Sequence, residues 1–381
     1  MSISMTRHIA RALVLSGALS PFLISACSTL GGAPAEPVTL PHNGTGPYRD
    51  LDALETNVMP EGSAIALTGE SIDNGMIASD RSLFYASAVV IPTVPVDAGV
   101  SDAGVGDAGA TGPATTLGPN WANHMPRRIS RSVGRSGNMG FDTGTVVFEA
   151  TEAWEGTYVT DPWLIAGPSG DWMLYYATAA GIGVATAASP GGPFTHGSAP
   201  IIAGSATSVL RRPSIVSTEG LVGASHPFLL FYERDGRIET QGSTDGLSFT
   251  PIGTITLAPM AARDDRDGDE QSVGGAGAVV VTTELGRSFV RLYYESRRSN
   301  GTAIITLAAS PDGVTFENFG RPAVSELGRR FAAPFVLDER ISLLLQWAAS
   351  PRGASGEGSL FIGIAPAGAR LAPEAMTMPE M

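Results

Sequence analysis

The sequence predicts an all-β protein, a five-bladed β-propeller of four-stranded antiparallel blades. Three observations carry this. Short apolar runs rich in aromatic and β-branched residues alternate with Gly, Pro, Ser and Asp clusters along most of the chain. A turn running from Ser to Phe recurs at residues 136–141, 189–194, 243–249 and 310–316, roughly 53 to 67 residues apart, the length of a four-stranded blade with its loops. The 381 residues include 47 Gly and 27 Pro but only 16% charged side chains, which suits many tight turns joining strands buried on both faces.

The unit is clearest at residues 160–203. Asp161-Pro162 opens a strand at 163–165, residues 167–170 turn, a second strand runs over 172–178 and a third over 182–188. Ser189-Pro190-Gly191-Gly192 ends the third, and a fourth run follows at 199–203. In the first blade Asp73-Asn74-Gly75-Met76-Ile77 aligns with Asp161-Pro162-Trp163-Leu164-Ile165, and strands are expected at 82–90, 127–135 and 143–148. Between them, residues 94–119 are low-complexity and are expected to be a disordered insert. Its Asp97, Asp102 and Asp107 do not match the alternate spacing of a compact calcium loop. The third blade is expected at 212–216, 227–233, 237–243 and 252–257, and the fourth at 277–281, 289–295, 302–310 and near 321–324. The fifth, at 333–337, 341–347 and 359–364, lacks an outer strand. The N-terminal run 62–68 is the candidate to complete it, so the propeller domain is expected over 62–370, with a tail at 371–381. In two of the recurrent turns the pattern is S-x-D-G-x-x-F, around Asp245 and Asp312. Gly supplies positive φ there, the Asp and Ser side chains bond back to the turn backbone, and the Phe packs under it.

The N-terminus reads as an export signal over residues 1–26, with Arg7 and Arg11 ahead of an apolar stretch at 12–24. It ends in Ile24-Ser25-Ala26-Cys27, which resembles a bacterial lipobox, and Cys27 is the chain's one cysteine. That resemblance implies a lipoprotein whose Cys27 carries acyl chains, palmitate among them, each buried CH₂ contributing about 0.8 kcal/mol of membrane affinity. Ser28 after the cysteine implies the outer membrane, on its periplasmic or its surface face. Residues 27–50 read as the lipidated Cys and a flexible tether. A net charge of -13 excludes a nucleic-acid surface, and the sequence carries no sign of oligomerisation, so a monomer is expected.

The order x-D-P-φ-φ-φ, then G-x-W-x-L-Y-Y, then I-G-x-A, then the turn ending in Phe resembles the five-bladed propellers of glycoside hydrolase families 43 and 32. The likeness covers residues 72–368 and is weakest in the first and last blades. It implies a carbohydrate ligand and a three-carboxyl site. One Asp opening the first inner strand acts as base or nucleophile. An Asp in an x-D-P motif tunes pKa and holds the sugar. A Glu opening a later inner strand is the general acid. The chemistry requires one carboxyl protonated while another stays ionised. Asp73 matches the first position and Asp161-Pro162 the second. The third, fourth and fifth inner strands are expected to open with Arg212-Pro213, Gly277-Ala278 and Ala333-Pro334, none of which offers a Glu.

Two readings therefore stand: a surface glycosidase, or a propeller that binds glycan or a cell-surface partner without the acid. Glu270, at the end of the acidic loop 263–270, is the candidate substitute acid. Glu233 and Glu295 are alternatives, each read first as a salt-bridge partner of Arg234, Arg297 or Arg298. No cofactor is expected, with calcium at Asp265, Asp267 and Asp269 as the alternative to a solvated loop. Arg212 is read as the ion-pair partner of Asp161 before it is read as a binder of a sugar hydroxyl pair, a carboxylate or a phosphate. Trp154 and Trp163 are candidate floors of a sugar site, with core packing the commoner role.

Overall fold

A computed structural model describes residues 49–50, 72–88, 127–134, 141, 144–205, 207–259, 268–282, 288–324, 329–337, 340–347 and 360–364. The lipobox and Cys27, the insert at 94–119 and the tail lie outside them. The described chain is all-β, its blades built of four antiparallel strands in a propeller arrangement. Among the described residues no helix is long and apolar enough to cross a membrane.

The first strand, β1 (Arg49–Asp50), is set aside until the end of the chain. β2 (Ile72–Ile77), β3 (Ser82–Ala88), β4 (Arg127–Val133) and β5 (Thr145–Phe148) pair in sequence order as the first sheet. The second consists of β6 (Thr160–Ala166), β7 (Trp172–Thr178) and β8 (Gly181–Ala187), edged by β9 (Thr195–His196) and β10 (Ile202–Ala203). Of the expected outer strand at 199–203 residues Ile202–Ala203 pair with β8, and a second short piece, Thr195–His196, pairs with β8 ahead of that range. The third sheet is β11 (Leu210–Ser217), β12 (Phe228–Arg234), β13 (Arg237–Ser243) and β14 (Phe249–Thr254). The fourth is β15 (Glu270–Thr282), β16 (Ser288–Arg298), β17 (Ala303–Ser310) and β18 (Glu317–Pro322). In the last, β19 (Arg329–Leu337), β20 (Arg340–Trp347) and β21 (Leu360–Ile364) are completed by β1, which pairs with β21 through Arg49↔Ile364 and Asp50↔Gly363. An N-terminal strand does close the last sheet, but the pairing is made by residues 49–50, inside the expected tether. The run at 62–68 lies outside the described residues.

The innermost strands β2, β6, β11, β15 and β19 touch in that cyclic order, and β19 returns to β2, so they ring one axis. The middle strands have solvent on neither face: β7 (WMLYYAT), β12 (FLLFYER) and β17 (AIITLAAS) are almost wholly buried. This is why their sequences read as continuous apolar runs rather than alternating ones. The apolar core is therefore distributed between adjacent sheets.

The recurrent turns stitch neighbouring sheets together. Asp312 Oδ1 accepts the Val314 and Thr315 N–H groups at 2.8 Å each, and Ser310 Oγ accepts Gly313 N–H at 2.8 Å. Asp245 and Ser243 repeat this at Leu247, Ser248 and Gly246. Gly246 and Gly313 stand at φ 75° and 77°, where L side chains are strained. In three of the turns the closing Phe reaches the preceding sheet. Phe316 meets Phe231 edge-on at 5.8 Å, Phe249 meets Tyr175 at 6.2 Å, and Phe194 meets Phe148 at 6.3 Å.

Candidate functional site

Each innermost strand carries a bulge near its start. The register slips between Asp73 and Gly75 in β2, Thr160 and Trp163 in β6, and Arg211 and Ser214 in β11. In β15 it slips between Gly274 and Gly277, and in β19 between Arg330 and Ala333. A bulge bends the strand and re-aims a side chain. In four of them the bulged residue has a positive φ: Asp161 at 54°, Arg212 at 53°, Gly275 at 59° and Phe331 at 55°. These four, with Gly75, Pro162, Trp163, Pro213, Ala276, Ala332 and Ala333, line a cavity of about 40 Å³ at the axis.

The bulges also correct the sequence alignment. Asp161-Pro162 and Arg212-Pro213 are equivalent, as expected. In the fourth and fifth inner strands the equivalent pairs are Gly275-Ala276 and Phe331-Ala332, two residues before the expected Gly277-Ala278 and Ala333-Pro334. Those two strands begin at Glu270 and Arg329, and the bulges hide the offset.

Left-handed backbone at Arg and Phe costs roughly 1–3 kcal/mol each, so something must hold it. At three junctions one carboxylate from the preceding blade does so. Asp161 Oδ2 accepts the Arg212 N–H, Glu233 Oε2 accepts the Gly275 N–H, and Glu295 Oε1 accepts the Phe331 N–H, each at 3.0 Å. The glutamates come from the ends of the second strands, β12 and β16, which run back toward the axis.

Two guanidiniums complete the cluster. Arg297 gives Nη1 to Glu233 Oε1 at 2.6 Å, Nη2 to Glu233 Oε2 at 2.9 Å, and Nε to Glu295 Oε2 at 3.0 Å. Arg212 Nη1 lies 3.2 Å from Glu233 and 3.5 Å from Glu295, and its Cζ sits 3.2 Å from the centre of the Phe331 ring. Glu295 is fully buried and Glu233 nearly so. Burial alone would raise the Glu233 pKa, but Arg212 and Arg297 outweigh it and bring it down to about 2. Burial likewise opposes the charge on Arg297, but Glu295 and Glu233 hold its guanidinium above the ordinary value. Burial lowers Arg212 to about 10 against the pull of Glu295 and Glu233, so it is still a cation at neutral pH. Gly274 and Gly275 make room for these charges. A Cβ on Gly274 would stand 2.3 Å from Glu233 Oε2, and one on Gly275 would stand 2.9 Å from Arg212 Nη1.

The residues singled out from the sequence divide accordingly. Asp161 is on the axis, 4% exposed. Its expected ion-pair partner was Arg212, but only the Arg212 backbone reaches it; the nearer guanidinium is that of Arg211, at 3.7 Å. Asp73 occupies the equivalent place in β2, and its side chain lies outside what is described. Glu270 does not line the cavity. It opens β15 opposite Arg298 and accepts the Ser296 hydroxyl. Glu233 and Glu295 make their expected bridge to Arg297, while Arg234 turns to Glu239 at 3.0 Å. Trp163 lines the cavity and ties β6 to β11 through its indole N–H, which reaches Ile215 O at 3.0 Å. Trp154 lies away from the axis, stacked on Tyr176 and bonded to Gly197 O at 3.0 Å. Beside it is a group the sequence reading missed. Glu155, fully buried, accepts N–H groups of Thr151 and Glu152 and bonds to Tyr176 Oη and His196 Nδ1, fixing the loop that enters β6. Of the calcium candidates, Asp265 and Asp267 lie outside the described residues, and Asp269 gives its N–H to Ser299 Oγ at 3.1 Å.

No family model and no curated protein sequence matches the chain. Its fold is similar to those of solved glycoside hydrolases. An endo-arabinase from Bacteroides thetaiotaomicron is 14% identical, the match covering 79% of this chain and 97% of that one, with a TM-score of 0.50. For RS223 β-xylosidase the figures are 13% identity, 80% and 94% coverage, and a TM-score of 0.50. A thermostable family-43 glycoside hydrolase gives 13%, 79% and 92%, and 0.51. At such identities the likeness is one of fold.

Proposed function

We propose that this chain is a lipid-anchored outer-membrane protein whose glycosidase-like propeller binds an extracellular glycan without hydrolysing it. The observation that carries this is the engagement of the axial carboxylates. Hydrolysis needs one carboxyl that holds a proton beside one that does not. Glu233 and Glu295 accept from Arg297 and from one backbone N–H each, and Glu233 is ionised at any pH near neutral. Asp161 is engaged by the Arg212 N–H. A cavity of about 40 Å³ is left beside Arg212 and Phe331 at the axis. The fold likeness supports a carbohydrate as ligand, and the lipobox resemblance supports the anchor.

Hydrolysis is the second reading, favoured by Asp161 and Asp73 standing at equivalent places on two inner strands. The test is the full chain in detergent, incubated with aryl glycosides and plant and bacterial polysaccharides and probed in parallel for glycan binding. The expected result is binding with no sugar released. Sugar release that both Asp161→Asn and Asp73→Asn abolish would establish the enzyme instead.

A further inference from the structure

Arg212 is held more firmly than its own bonds account for. A guanidinium carries five N–H donors on three nitrogens. Among the described residues the hydrogen bond to its side chain is made at Nη1, to Glu233 at 3.2 Å. Nε is buried and has no acceptor. The residue is 9% exposed and lines the axial cavity. Its plane is fixed by the Phe331 ring stacked on it. The two glutamates beside it do not depend on it alone, since each is bonded by Arg297 and by one backbone N–H. A buried cation with unspent donors is costly unless an acceptor comes to it.

The edge left unused is the one formed by Nε and Nη2. Two parallel N–H groups on that edge match the two oxygens of a carboxylate, which is why arginine rather than lysine serves planar bidentate recognition. Of the other cavity walls Asp161 is acidic, with Oδ2 taken up by the Arg212 N–H, while Pro162, Pro213, Ala276, Ala332 and Ala333 offer no charge and little width. A carboxylate fits a space of this size.

We infer that the axial cavity is a subsite for the carboxylate of an acidic sugar, seated on the Nε–Nη2 edge of Arg212. This rests on the glycan-binding reading above and narrows its ligand to uronic-acid glycans. The uronate carboxylate enters the funnel end-on, and the ring to which it is attached stays above Phe331 and Trp163. Because Nε is shielded from water in this structure, seating the second oxygen requires a local shift of the groups packed against Arg212.

The experiment is titration calorimetry of the full chain in detergent. The probes are oligosaccharides of galacturonic, mannuronic and glucuronic acid, each beside its carboxyl methyl ester, with neutral arabino- and xylo-oligosaccharides as reference. At least one acid is expected to bind at least tenfold tighter than its ester. Arg212→Lys, which keeps the charge and loses the fork, is expected to weaken that acid at least tenfold. Acids and esters binding alike, or neutral sugars binding while acids do not, would overturn the carboxylate subsite and leave glycan binding standing. A sulfated oligosaccharide binding as tightly as the uronate would make the edge a general anion site, which also overturns the assignment. No binding by any sugar would remove the glycan reading and this inference together. Should Arg212→Lys fail to fold, the acid-to-ester comparison on the unaltered chain still decides the matter.

Discussion

Gly275 shows how little latitude the axis leaves to a single residue. It combines a φ of 59° with a Cβ direction that points at Arg212 and Glu295, both 2.9 Å from where the atom would be. Gly275→Ala is therefore expected to lower stability by about 1–3 kcal/mol, measured by urea denaturation. Glu233 gives a pH test. Its pKa in the folded chain, about 2, lies below the ordinary 4.5, so the stability it contributes is fully present above pH 4.5. That contribution is lost as pH falls through about 2. Glu233→Gln should cost roughly 3–5 kcal/mol at neutral pH. The gap between variant and parent should narrow between pH 4.5 and 2, where denaturation curves at stepped pH will show it. Neither role was fully legible in the sequence. Glu233 and Glu295 stood out as carboxylates after an F/Y-Y run and were read first as salt-bridge partners, which Arg297 fulfils; the backbone N–H groups of Gly275 and Phe331 that they also hold lie on the next blade. The Gly274-Gly275 pair was the available signal, because two glycines inside a strand mark close approach by something else.

Among the elements, the turns were the most legible part of this chain and the inner strands the least. A turn writes its needs locally: a Gly for positive φ, and an Asp and a Ser for the free N–H groups. Residues 243–249 and 310–316 could thus be read directly. A bulge writes nothing local, and the inner strands of the fourth and fifth sheets were accordingly placed two residues late. Asp312→Ala leaves two turn N–H groups without their acceptor and is expected to cost about 1–2 kcal/mol. Phe316→Ala removes a buried contact to the preceding sheet and should cost about 3–5 kcal/mol. The two costs, read from urea midpoints, should rank in that order, since packing between sheets outweighs the turn itself.

For the whole molecule, the blade repeat was visible because middle strands buried on both faces leave long apolar runs at a regular spacing. The closing strand was not, because two residues at 49–50 carry no β pattern of their own. Removing residues 1–51 should lower the thermal midpoint by stripping the outer edge from β21. The proposed anchor has its own test. Cells fed labelled palmitate should mark the parent chain and leave Cys27→Ser unmarked.

The three axial carboxylates give the ring a direction. Each reaches forward in sequence, from one blade to the backbone of the next: Asp161 to Arg212, Glu233 to Gly275, Glu295 to Phe331. A chain leaving the ribosome N-terminus first therefore presents each acceptor before the donor it will meet, and the second to fifth blades can lock in order of synthesis. The last joint is different. Its two halves, β1 and β21, are the first and last of the described strands to be made, so completion of the circle awaits synthesis of β21.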